Sequence, residues 1–214
     1  MRAGLKQFAA GAVAVGVIFF AGCNQSSTPA ASDTPAAAAP AGPPPLVSAQ
    51  TAFSPMYKAA ISWASDAELI RMTAKEVPGF KNEGGKAAMW EAGFGSPSKH
   101  QFRLYNYSIA TVLPSNIHKG VDPQLPLQWG GETRDAMPVE TSSFNVDSDA
   151  AYKTAAGDAA EWLTKNPTKT LSALELGNTS KFNSPVWYVS WGDKKSGGYV
   201  ALVDATSGKV YKAK

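Results

Sequence analysis

The chain has 214 residues, with 20 Lys+Arg against 17 Asp+Glu and a single cysteine. One cysteine excludes an internal disulfide and a cysteine-built zinc site. A formal net charge of +3, carried by scattered Lys and Arg, offers no clustered basic face, so nucleic acid is not an expected partner.

Residues 1–22 read as a signal peptide. Arg2 and Lys6 form a positive start, Phe8 to Phe20 an apolar run, and Phe20-Ala21-Gly22-Cys23 a small-residue cleavage site. The run falls short of the roughly 20 residues that a spanning helix needs. Residues 23–50 read as a tether, a disordered linker made almost wholly of Ala, Pro, Ser, Thr and Gly and ending near Pro43-Pro44-Pro45. Such a segment has too few bulky apolar groups to pack.

Residues 51–110 predict a first α+β unit. Pro55 stands near a helix start, Tyr57 to about Ala64 is helical, and Glu68 to Val77 is extended. A glycine-rich turn and two strands, around Trp90 and Phe102, follow. Residues 111–145 form a bridge. Pro114, Pro123, Pro126 and Pro138, with Gly120, Gly130 and Gly131, forbid long regular elements there. Val121, Leu125, Leu127, Trp129 and Met137 are nonetheless too apolar for a disordered linker.

Residues 146–214 predict a second, better defined α+β unit. Asp147 or Ser148 can cap a helix whose Tyr152, Ala155, Ala156, Ala159, Trp162 and Leu163 share one face. Asn166-Pro167 stops it, and Thr170 to Leu176 is a strand. Trp187, Val189 and Trp191 alternate with Val186, Tyr188 and Ser190, the period of a strand with two distinct faces. A polar turn over residues 193–198 leads into a strand from Tyr199 to Val203, and Asp204 to Gly208 turns the chain again.

The two units share a pattern. Trp90-Glu-Ala-Gly-Phe94-Gly95 matches Trp187-Tyr-Val-Ser-Trp191-Gly192, and, read on without gaps, Phe102-Arg-Leu-Tyr faces Tyr199-Val-Ala-Leu. Each follows a predicted helix ending near a tryptophan, Trp63 or Trp162. The fold expected is therefore α+β, a helix followed by an antiparallel sheet, twice.

Two resemblances add to this. Phe20-Ala-Gly-Cys23 is similar to the bacterial lipobox, with Phe20 where Leu is usual. It implies cleavage before Cys23, lipid on that residue and a membrane anchor; with Asn24 next, it implies the outer membrane if the organism is Gram-negative. The second half, through Ala150 to Leu163, Trp187-Tyr-Val189 and Val203-Asp-Ala-Thr-Ser-Gly-Lys-Val210, resembles the PepSY-type domains of bacterial envelope lipoproteins. Asn106-Tyr107-Ser108 stands where the second half has Val203-Asp204-Ala205, so the first copy is degenerate. The resemblance implies a cystatin-like helix on a short sheet and a role in binding or restraining envelope proteases and other partners. It supplies no catalytic residues.

The residues themselves carry little chemistry. His100 and His118 are isolated, and no Gly-x-Ser-x-Gly elbow, phosphate loop or calcium loop is present. No metal, cofactor or catalytic residue is assigned. The expected function is a non-catalytic module, held at the membrane through Cys23, that binds an envelope protein or peptide. Leu127, Trp129 and Arg134 are the candidate partner-binding residues, since Trp and Arg are enriched in binding hot spots. The alternative is an envelope enzyme acting on peptidoglycan or peptides through carboxylates that the sequence does not pair.

Overall fold

The computed structural model describes residues 42–193, 195 and 197–211. The predicted signal peptide, Cys23 (the expected lipidation residue) and the predicted linker as far as residue 41 lie outside the described residues. Alternation of buried and exposed side chains builds a single antiparallel sheet, strands β1 (Glu68–Lys75), β2 (Met89–Ser96), β3 (Gln101–Ser108), β4 (Gly120–Pro123), β5 (Leu127–Gln128), β6 (Leu171–Gly177), β7 (Val186–Trp191) and β8 (Tyr199–Asp204). Their order is β4-β3-β2-β1-β6-β7-β8, with β5 beside β3. The two halves of the chain thus share one sheet, joined where Arg71, Met72 and Thr73 pair with Gly177, Leu176 and Glu175.

Helices α1 (Ala49–Trp63), α2 (Ser148–Asp158) and α3 (Ala160–Lys165) lie on one face of that sheet. Ala49, Ala52, Met56 and Ala60 recur at helical spacing and are fully buried, as are Ser148, Ala151, Ala155 and Ala159. Small side chains in these stripes let the helices approach the strands closely. The core between them holds Met72, Trp90, Phe94, Leu174, Trp187 and Val189.

Two expectations about the helices need correction. Helix α1 begins at Ala49, inside the stretch read as linker, and Pro55 lies within it rather than near its start. Its first turn is fixed by distant groups, which composition does not reveal. The Ala49 amide donates to Ser148 Oγ (2.9 Å) and the Gln50 amide to Asp147 Oδ1 (3.0 Å), while Val47 pairs with Ala87. These contacts supply acceptors for amides that a helix start leaves free. The single second helix is in fact two, divided at Ala159 (φ −85°, ψ 0°). Gly157 weakens the helix there, and the Tyr199 hydroxyl reaches the Asp158 carboxylate at 2.8 Å.

Features on either side of the β1–β6 join correspond closely. Trp90 Nε1 donates to the Val47 carbonyl (3.0 Å) and Trp187 Nε1 to the Val146 carbonyl (2.9 Å). Each carbonyl belongs to the residue just before a helix N-cap. β1 bulges between Leu69 and Arg71 opposite Phe94 and Gly93; β6 bulges between Leu171 and Ala173 opposite Trp191 and Ser190. The third strands break the gapless match. Trp90 pairs with Tyr107 and Trp187 with Val203, so Arg103, not Phe102, stands where Tyr199 does. The second hairpin is one residue shorter.

Candidate functional site

The bridge starts with a single turn of 3-10 helix, Leu113–Ser115, runs along the outer edge of β3 as the two short strands β4 and β5, and ends in a second such turn, Thr141–Ser143, before α2. In β5, Leu127 pairs with Phe102 and Gln128 with Gln101. The next amide, Trp129, donates to the His100 carbonyl at 3.0 Å. The Trp129 indole then lies directly over Gly95, and the Phe102 ring over Gly93, each so close that a Cβ on the glycine would overlap it. Glycines at alternate positions of β2 therefore form a bed for two aromatics on the face away from the helices. Trp129 is half-buried by this packing. Leu127 remains 59% exposed and Leu125, two residues before it, 84% exposed.

The structure thus gathers Leu125, Leu127 and Trp129 on one short segment. Arg134 is exposed on another turn of the bridge, closed by the Thr133–Ala136 pair. Its carbonyl accepts from the Ser180 amide at 2.8 Å, so its turn is tied to the β6–β7 loop rather than to β5. Along the sequence Gly93-Phe-Gly95 reads only as a lone glycine pair; the signal of the bed was two glycines two residues apart on one face of a strand, where glycine is otherwise unfavourable.

Acidic groups collect at the start of β1. The Glu68 carboxyl is pushed up, first by burial and then by the charges of Glu132, Glu140 and Asp66. Asp66 itself is held down at about 2, first by the Ser98 amide and then by the Ser96 hydroxyl, both at 2.7 Å. Among the described residues no three or more His, Cys, Asp or Glu are placed to hold a metal ion. His100, with φ 50° in a turn, and His118 are both exposed. Trp90, Trp187 and Trp191 are buried core aromatics, and Trp63 and Trp162 are half-buried. No described helix is long and apolar enough to cross a membrane.

Compared with known proteins, the chain matches no family model, no curated protein and no solved structure.

Proposed function

We propose that this protein is a non-catalytic binding module of the bacterial envelope, anchored through lipid on Cys23, that uses the β5 segment to hold another protein or a peptide. The observation that carries the reading is the exposure of Leu125 and Leu127 beside an indole fixed flat on Gly95. A rigid aromatic flanked by exposed aliphatic side chains is what a partner can bury at small entropic cost. The body is read as two copies of one PepSY-like unit, helix then three-stranded meander, merged through β1 and β6. The paired tryptophan–carbonyl bonds and the paired bulges support that duplication. The lipobox-like Phe20-Ala-Gly-Cys23 supports the anchor.

The test compares Leu127→Asp and Trp129→Ala with wild type, by melting and by crosslinked pull-down from the protein's own envelope. A partner lost at unchanged melting temperature supports the reading. A large melting drop with Trp129→Ala, and no change of partner with Leu127→Asp, makes the segment a structural strap and refutes it.

A further inference from the structure

The two ends of the β1–β6 join are closed differently. At one end, just beyond the Arg71–Gly177 pair, the bridge lays Pro138-Val139-Glu140 against β1. The Val139 amide donates to the Leu69 carbonyl at 2.6 Å, and Val139 is only 3% exposed. Phe144, also buried, packs edge-on against Phe53 with ring centroids 5.6 Å apart. The groove at this end is filled by the chain's own extended segment.

At the other end lies an open groove of about 900 Å³. Tyr152, Leu163, Leu171 and Trp191 line one side of it, and Val77 and Phe80 the other. Those first four are the counterparts of Phe53, Ala64, Leu69 and Phe94 at the filled end, by position after the helix N-caps and around the two bulges. Among the described residues no segment outside the sheet ladders bonds to Leu171, whereas Leu69 has Val139. Glu76, Glu83, Lys81 and Lys169 around the rim balance in sign, so the site favours neither a strongly acidic nor a strongly basic occupant.

We propose that this groove takes an extended peptide segment of another protein, with a β-branched apolar residue at its centre, laid along Leu171 as Val139 lies along Leu69. Backbone bonding to a free strand stretch with one side chain in an apolar pocket is strand-addition recognition. The site is separate from the β5 surface and does not depend on it.

The probe is a synthetic peptide Asp-Ala-Met-Pro-Val-Glu-Thr, copied from residues 135–141 of the filled end, titrated into isotope-labelled full-length protein by NMR. The expected result is amide shifts from Leu171 to Leu174 and at Phe80. Replacing the peptide's Val by Asp should weaken binding about tenfold or more, from the lost apolar burial. Leu163→Arg in the protein should weaken it similarly, and Phe80→Asp on the facing wall serves if Leu163→Arg does not fold. An absence of shifts up to about 1 mM peptide overturns the proposal. So do shifts confined to Leu69 and Asn178, which would mean exchange with the chain's own segment, and shifts confined to Leu127 and Trp129.

Discussion

Replacing Trp187 by Phe tests whether the two halves stand or fall together. Trp187 is fully buried, donates to the Val146 carbonyl at 2.9 Å, and meets Trp90 edge-to-face at 6.3 Å and Phe144 at 5.9 Å. Phe keeps an aromatic ring but removes the N–H, leaving the carbonyl without that donor, and it leaves a small void. Together these should cost about 2–4 kcal/mol. Trp90→Phe removes the matching bond to Val47 and should cost about the same. Because the two rings touch, the double variant should depart from additivity by about 0.5–1.5 kcal/mol. Urea unfolding followed by both far-UV circular dichroism and tryptophan fluorescence measures all four species. A single coincident transition is expected throughout, since the core runs unbroken across the β1–β6 join. Two transitions in Trp187→Phe, with residues 146–211 melting first, would refute the reasoning, as would additivity within about 0.3 kcal/mol.

Cys23→Ser should abolish lipidation and leave an unanchored or uncleaved precursor whose body still folds; membrane fractionation checks it, and a mutant still processed and tightly bound would count against the anchor. Gly95→Val should destabilise by about 1–3 kcal/mol through collision with the Trp129 indole, although valine is ordinarily the better strand residue; a higher melting temperature would show that the indole does not lie there. Burial pushes the Asp204 carboxyl up, but bonds from Ser184, the Ser207 amide, Tyr211 and the Thr206 amide outweigh it and hold it at about 2, below its ordinary 3.8. Its depressed value stabilises the fold fully above pH 3.8, and that contribution is lost as pH falls towards about 2. Asp204→Asn should therefore melt below wild type at neutral pH, and the gap should close over that window; a gap constant in melting scans from pH 7 to 2 would exclude this role.

What the sequence disclosed, and what it hid, follows the range of the interactions. Trp187, Val189 and Trp191 announced β7 because the two faces of a strand are written in alternate residues. The alanine stripe of α2 was legible for the same reason, at helical period. The start of α1 was not, because Ala49 and Gln50 look like linker until Ser148 and Asp147, almost a hundred residues away, bond to their amides. The β1–β6 pairing was equally invisible, since nothing in either strand names its partner across the join. At the candidate site, the apolar character of Leu127 and Trp129 could be read along the chain. Their exposure could not, because it depends on two glycines of β2 that receive the rings on one side and leave Leu127 outside.

The open groove has a topological cause if the body is a duplication. A two-fold-like sheet made from two helix-plus-meander units has two equivalent ends at its central join, each flanked by a helix and by the loop of the opposite unit. A single chain has only one connection between the units. That connection must run from the β3 edge back to the N-cap of α2 at Asp147, and on its way it passes the Leu69 end, where Val139 and Phe144 enter the core. Among the described residues no second segment outside the sheet ladders bonds to Leu171. Closing that end would require a segment from elsewhere, and leaving it open costs little, because Leu171 and Tyr152 stay half-buried among Trp191 and their neighbours. A filled end and an empty one are therefore what joining two copies with one bridge produces, and the filled end specifies the occupant that the empty one can take.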